Sequence, residues 1–191
     1  LKAVESNIST QYFHCNPVIR PSNNELQLLA KVINESTKVT LFCGIGAEKA
    51  NDQVVQLSQH IKAPVGYSFR GKMTIQPNNP NEIGMTGLLG QPSAYHSMHE
   101  SDLVLLLGTD FPYDKFMPTD NKIIQIDTSS ERLGRRANLN MGLCGDVADT
   151  IEALLPLLEA KTDDSFLDAQ LKLYSSVKEN MNIYINDNGG E

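Results

Sequence analysis

Leu103-Val-Leu-Leu-Leu-Gly-Thr-Asp-Phe-Pro112 is the stretch whose reading decides the fold of this chain. Five apolar residues without polar alternation describe a strand covered on both faces, as strands inside parallel sheets are. The run opens into a glycine, which lets the backbone turn sharply or approach a ligand. The same pattern recurs outward from it. Val39-Thr-Leu-Phe-Cys43 runs into Gly44-Ile-Gly-Ala47, and Pro64-Val-Gly-Tyr67 leads to an irregular Gly-, Pro- and Asn-rich stretch, residues 70–90. Lys122-Ile-Ile-Gln-Ile-Asp127 ends on an acid, and Met141-Gly-Leu-Cys144 is a last strand. Helical spacing fills the intervals. Ser22-Asn-Asn-Glu25 reads as a capping box ahead of a helix with Leu26, Leu29, Ala30 and Ile33 on one stripe. Further helices are predicted over residues 48–61, with Val54, Leu57 and Ile61 inward, over 93–100, over 147–159 behind a Gly145-Asp146 cap, and over 163–182, before a tail at 186–190. Strands alternating with helices predict an α/β layer structure with a parallel sheet.

Composition narrows the class. At 191 residues the chain suits one domain with linkers or tails, and a hydrophobic fraction of 40% supports a packed core. The longest apolar run, Leu103–Leu107, falls far short of the roughly 20 residues of a membrane-spanning helix. No secretory leader is recognised, and a first residue other than Met suggests a piece of a longer protein. A net charge of −7 with scattered lysines and arginines disfavours nucleic acid. Cys15, Cys43 and Cys144 are odd in number and widely spaced, which fits a reduced, cytoplasmic setting rather than a disulfide framework or zinc site. Cys43 and Cys144 read as buried small hydrophobes.

In an open parallel sheet, ligands bind beyond the carboxyl ends of the strands, where the strand order reverses. For the order 3-2-1-4-5-6, with the third strand inside the irregular stretch, Gly44-Ile-Gly-Ala47 and Gly108-Thr-Asp-Phe-Pro112 flank that crevice. The first loop departs from the dinucleotide fingerprint G-x-G-x-x-G, because Lys49 replaces the third glycine. The acid expected about 20 residues downstream is also missing, so an ordinary NAD site loses ground. Asp127 is instead placed to accept hydrogen bonds from ribose hydroxyls or an adenine amine; a turn or helix cap is its plainer role. Arg70 is positioned to meet a phosphate or a flat ring, with a surface salt bridge as the plainer alternative. Thr86-Gly-Leu-Leu-Gly90 offers amides and a hydroxyl, or simply forms a tight turn.

At these residues the chain resembles a known family. Arg70-Gly-Lys72, Ile83-Gly-Met-Thr-Gly-Leu-Leu-Gly90, Leu105-Leu-Leu-Gly-Thr-Asp-Phe-Pro-Tyr113 and Lys122-Ile-Ile-Gln-Ile-Asp127 resemble the middle domain of bacterial thiamine-diphosphate-dependent pyruvate oxidases, the quinone-linked pyruvate dehydrogenase included. The resemblance covers residues 17–158, and acetolactate synthases are broader relatives. It implies a Rossmann-like domain with a six-stranded parallel sheet and helices on both faces, bounded as a linker at 1–20, an FAD-binding central domain at 21–160, and a C-terminal helix and linker at 161–191. It implies that FAD accepts electrons from the thiamine-bound intermediate of oxidative pyruvate decarboxylation. Thr86, Gly87, Leu88 and Leu89, with Thr109, Asp110, Phe111, Pro112 and Tyr113, would line the flavin nucleotide, and Asp127 would hold its adenosine end. Gly44, Ile45, Gly46, Arg70, Gly145 and Asp146 follow from loop position and from flavin-bearing relatives. Asp110 stands where the quinone-linked relatives are expected to carry a neutral polar residue.

The resemblance places the thiamine-activating glutamate in a preceding domain and the metal-binding Gly-Asp-Gly motif in a following one. Gly145-Asp146-Val147 is not that motif, so thiamine diphosphate and Mg2+ belong outside this chain, which is expected to be catalytically inactive alone. The partners implied are flanking thiamine-diphosphate domains and a homotetramer at full length, cytoplasmic or peripheral to the inner membrane, with any membrane contact made by regions outside this chain. A second class stays open: an acetolactate-synthase-like central domain whose nucleotide is structural or absent. His96 and His99, at i and i+3, lack the supporting ligands of a metal site. Met73, Met85, Met98 and Met117 read as packing residues.

Overall fold

The computed structural model describes residues 17–186, with side chains to residue 181. Six strands form one all-parallel sheet: β1 (Val39–Cys43), β2 (Val65–Tyr67), β3 (Glu82–Met85), β4 (Leu103–Leu107), β5 (Lys122–Asp127) and β6 (Met141–Cys144), in the order β3-β2-β1-β4-β5-β6. The order reverses between β1 and β4, which pair Val39 with Leu103 through Cys43 with Leu107. The fold class predicted from the sequence is the one observed, with the third strand inside the irregular stretch.

Alternation along β1 and β4 sorts the helices. Val39, Leu41 and Cys43, with Leu103, Leu105 and Leu107, face α1 (Asn23–Glu35), α2 (Asn51–Ile61) and α5 (Val147–Leu154). Phe42, Val104 and Leu106 face the opposite way, onto Met98 of α4 (Pro92–Glu100). Every one of these residues is buried. At roughly 1.5–3 kcal/mol per fully buried aliphatic or aromatic side chain, these two layers dominate the stabilising side of folding.

The Ser22–Glu25 capping box is present: Ser22 Oγ accepts the Glu25 amide and Glu25 Oε2 accepts the Ser22 amide at 2.7 Å. Other boundaries shift from the reading above. Residues 45–47 form a 3-10 turn, and α2 starts only at Asn51, because the loop after β1 is occupied with β4. Residues 70–90 hold a short helix, α3 (Lys72–Ile75), as well as β3. α5 stops at Leu154 and continues as a 3-10 turn through Pro156, whose missing N–H cannot extend the ladder. Cys43 is buried, and burial pushes its thiol up; Cys144 is only half-buried, since β6 is an edge strand. Cys15 lies outside the described residues. Met85, Met98 and Met117 pack inward, but Met73 is 80% exposed on the first turn of α3.

α6 (Ser165–Asn186) returns to the β3 edge, so residue 186 is helical, and residues 187–190 lie outside the described residues. Tyr174 packs with Ile83 and Ala94, and its hydroxyl donates to Glu82 Oε1 at 3.0 Å. Tyr67 donates to Glu82 Oε2 at 2.7 Å. Burial first, then the Glu82 carboxylate, push both phenols up, Tyr174 to about 12, so both stay donors at neutral pH. Among the described residues no helix is long and apolar enough to cross a membrane.

At the opposite end of the sheet, Asp102 ties β4 to the start of β1. It accepts the Thr37 amide at 3.0 Å, the Thr37 hydroxyl at 2.8 Å and the Lys38 amide at 2.8 Å. Burial raises this carboxyl, but those hydrogen bonds outweigh it and hold it below its ordinary value. A depressed folded pKa contributes stability that is present above the unfolded value and lost as pH falls through the folded one. Asp102→Asn is therefore expected to cost about 1 kcal/mol at pH 7, a figure suited to a largely open site. The gap between variant and parent in thermal melts should close as pH falls below about 4. A gap unchanged at pH 3 would refute the assignment.

Candidate functional site

At the carboxyl ends of β1 and β4, two loops touch backbone to backbone. The Gly44 amide donates to Leu107 O at 2.9 Å, and the Gly46 amide donates to Gly108 O at 2.8 Å. The Ala47 and Glu48 amides are taken by the Gly44 and Ile45 carbonyls. A Cβ on Gly44 would lie 2.5 Å from Gly108 O, and one on Gly108, whose φ is +56, would lie 2.4 Å from Gly46 C. The glycines thus serve this contact. A phosphate cradle needs amides pointing at the ligand, and these are occupied. Gly44 and Gly46 sit within the wall, and of this loop Ile45 reaches the space beyond.

That space is a cavity of about 490 Å³, within the roughly 300–1,000 Å³ typical of small-molecule sites. Thr86 to Leu89 after β3, Thr109 to Tyr113 after β4, and Arg70 after β2 come together around it. Ser68, Phe69, Met85, Gly108 and Arg132 line it too and were not singled out from the sequence. Ser68 and Phe69 directly follow β2, so the rule that ligands gather at strand ends was sufficient to find them. Arg132 closes a 3-10 turn five residues beyond β5, and no local pattern announces it.

The wall combines aromatic rings with hydroxyls. Phe111 is buried edge-on against Phe42 at 5.2 Å and against Tyr113 at 5.2 Å. Gly87, at φ +122, lets the chain pass close over those rings, because a Cβ there would meet Tyr113 and Phe111 at 3.3 and 3.4 Å. Thr86 and Thr109 are buried beside them. The rim is apolar and open: Leu88 is 71%, Leu89 83% and Phe69 70% exposed. Exposed apolar side chains grouped at a cavity mouth offer a surface for a flat ligand or a neighbouring protein.

Charge enters from the β5–β6 connection. Arg135 grips Asp110 bidentately, its Nε 3.1 Å from Oδ1 and its Nη2 on Oδ2, and Arg136 Nε lies 3.2 Å from Oδ1. Arg132 Nη1 is 3.7 Å from Asp127 Oδ1. Arg70 is exposed and makes no ion pair among the described residues. Of the charged residues on the lining, Arg70 and Arg132 are cationic and Asp110 is anionic, and Asp110 is paired with Arg135 and Arg136.

Besides Gly44 and Gly46, three predicted residues lie off the lining. Asp127 is buried behind Arg132, and its Oδ1 accepts the Ser129 amide at 2.9 Å in an Asx turn, the plainer of its two roles. Asp146 is the N-cap of α5, accepting the Ala148 and Asp149 amides at 2.9 and 3.2 Å. Gly145 packs against Pro21 and Thr150. His99 lies 3.2 Å from Phe116 O and stacks on Tyr95 at 4.2 Å; among the described residues, no three metal-ligating side chains gather.

The family profile described as thiamine pyrophosphate enzyme, central domain, matches residues 26–154. The chain belongs to that family. Among its relatives, an uncharacterized 42.6 kDa protein of Pseudomonas amyloderamosa is 48% identical over 86% of this chain and 42% of its own length. YdaP of Bacillus subtilis, provisionally named as a thiamine pyrophosphate-containing protein, is 31% identical over 79% of this chain and 26% of its own length. The pyruvate oxidase of Lactiplantibacillus plantarum is 23% identical over the same shares. Acetolactate synthases match at similar identity. The domain spans about two fifths of the first relative and about a quarter of the others.

The backbone contact has a measurable consequence. Gly108→Ala is expected to destabilise the domain by roughly 2–4 kcal/mol, since positive φ and a backbone overlap act together. Thermal unfolding reads this directly. A melting temperature within a degree of the parent would show that the two loops are not packed as described.

Proposed function

We propose that this domain holds FAD for a thiamine-diphosphate-dependent enzyme that oxidatively decarboxylates pyruvate. The boundaries are a linker over 1–20, the FAD-binding domain over 21–160, and a C-terminal helix with linker over 161–191. The observation that carries the reading is that the two stretches resembling the oxidases, Thr86–Leu89 and Thr109–Tyr113, come from different strands yet line one cavity with a cationic edge. The site fits the cofactor's chemistry: aromatic and aliphatic surface for a flat ring, hydroxyls for its polar edge, and guanidinium groups for phosphates.

In this reading, Phe111, Tyr113, Leu88 and Leu89 pack on the ring system and keep water from it. Arg70 and Arg132 neutralise the diphosphate. Asp127, freed from Arg132, accepts hydrogen bonds from the adenosine end. Gly44, Gly46, Gly145 and Asp146 act through the backbone frame rather than by contact. Bound there, FAD supplies a two-electron acceptor for chemistry on thiamine diphosphate and Mg2+ held by the flanking domains. Decarboxylation falls to the flanking domains in this reading, and the domain alone is expected to be inactive. At full length the enzyme is a cytoplasmic homotetramer, and any membrane docking lies outside this chain.

The similar identity to acetolactate synthases supports a second reading, in which the nucleotide is structural or absent. The spectrum of the full-length protein separates the two. A yellow preparation that bleaches with pyruvate in the absence of oxygen supports the oxidase. A flavin that pyruvate never bleaches favours the second reading, and a colourless protein that FAD does not reconstitute removes the flavin altogether. Turnover with oxygen plus phosphate, against turnover with a quinone, then identifies the acceptor.

For Asp127 the Asx turn must be separated from ligand contact. Asp127→Asn keeps an acceptor for the Ser129 amide but removes the charge, and Asp127→Ala removes both. Both variants are expected to weaken FAD binding about tenfold or more, the size of a lost charge-assisted hydrogen bond. Wild-type affinity in both variants, measured by flavin fluorescence titration of the full-length protein, refutes the contact.

A further inference from the structure

Asp110 poses an electrostatic question that the flavin reading leaves open. Its carboxylate stands on the wall of a cavity read as a site for an anionic dinucleotide, where an uncompensated negative charge repels the ligand. The structure meets that charge with two guanidinium groups on one carboxylate, Arg135 bidentate and Arg136 through Nε. Both come from the β5–β6 connection, which is distant in sequence and reaches back over the carboxyl end of the sheet.

A buried side chain aligns the two partners. Gln125 of β5 is 4% exposed; its Nε2 donates to Thr109 O at 3.1 Å and its Oε1 accepts the Gly134 amide at 3.0 Å. Thr109 immediately precedes Asp110, and Gly134, at φ +73, immediately precedes Arg135. One glutamine thus joins the loop bearing the acid to the loop bearing the arginines, next to the ion pair on each side. Surface ion pairs are ordinarily worth little because two flexible side chains must be held in one geometry. Here both backbones are already tethered, which lowers that cost.

We propose that Arg135 and Arg136 form a charge-compensating clamp on Asp110, held in register by Gln125, that converts an acidic position on the cavity wall into one tolerant of a phosphate-bearing nucleotide. The proposal rests on the flavin reading and deepens it. The arginines act as positioning residues, through Asp110 rather than by contact with the ligand. The same ion pairs tie the β5–β6 connection to the loop after β4.

The test is a rescue measured by binding on the full-length apoprotein. Arg135→Ala/Arg136→Ala leaves Asp110 uncompensated, and FAD affinity should fall roughly tenfold at low salt, an effect that shrinks as ionic strength rises. Riboflavin, which has the ring but no phosphate, should bind as to the parent. Adding Asp110→Asn to the double variant should bring FAD affinity back to within about twofold, since the charges are removed together. Failure of Asp110→Asn to restore binding shows direct arginine contact with the ligand and overturns the clamp. An equal loss for riboflavin shows a merely structural loop and overturns it too, as does unchanged FAD affinity in the double variant. A parent that binds neither FAD nor ADP overturns the reading of the cavity and the clamp with it; a parent that binds them leaves the variants to decide the clamp alone.

Discussion

Gly44 and Gly46 lie against Gly108 with no side chain between them, and the site depends on that contact. In a parallel sheet with this strand order, the natural place for a ligand is the gap between the first and fourth strand ends. Here the gap is closed by two backbone hydrogen bonds and by overlaps that only glycine permits. Ligand space is displaced outward, to where the loops after β2, β3 and β4 meet the β5–β6 connection. Side chains and the Thr86–Leu89 turn line that space, while the Gly44, Gly46, Ala47 and Glu48 amides are already occupied.

The displaced cavity combines two chemistries. Its floor is rigid, because Phe111 is held edge-on by Phe42 of β1 and by Tyr113, and Phe42 belongs to the buried layer under α4. Its rim is adaptable, with Leu88, Leu89 and Phe69 largely exposed. A rigid aromatic floor and an open apolar rim suit a ligand that one domain holds only in part. That agrees with a chain spanning about a quarter to two fifths of its relatives' lengths. The charges follow the same division: arginines come from the long β5–β6 connection, while the acids they meet sit at the ends of β4 and β5.

The chain belongs to the thiamine pyrophosphate enzyme central-domain family, and among its described residues no three metal-ligating side chains gather. The central domain shares its topology with dinucleotide-binding folds, yet the blocked first loop shows that shared topology does not carry over the phosphate site. Function is a property of the residues at the cavity, not of strand order.

The sequence by itself determined five of the six strands and most helices, because burial periodicity is local: five apolar residues in β4, the stripe in α1 and the Ser22–Glu25 box are each readable within a dozen residues, whereas β3 and α3 lie in the irregular stretch without such a pattern. By the rule that ligands gather at strand ends it pointed to the loops after β1 and β4, and the glycine-bracketed Thr86–Gly90 stretch with its family resemblance added the loop after β3. Tertiary structure decided the rest, for reasons of distance and competition. Whether Gly44 and Gly46 bind a phosphate depends on what else takes their amides, and that is a strand 60 residues away. Asp146 is readable as a helix cap and is one, while for Asp127 the sequence leaves a turn open beside ligand contact, and its Oδ1 takes the Ser129 amide. Arg132 joined the lining, and Arg135 and Arg136 met Asp110, only because the β5–β6 connection folds back and Gln125 ties it to Thr109, a pairing that no local periodicity encodes.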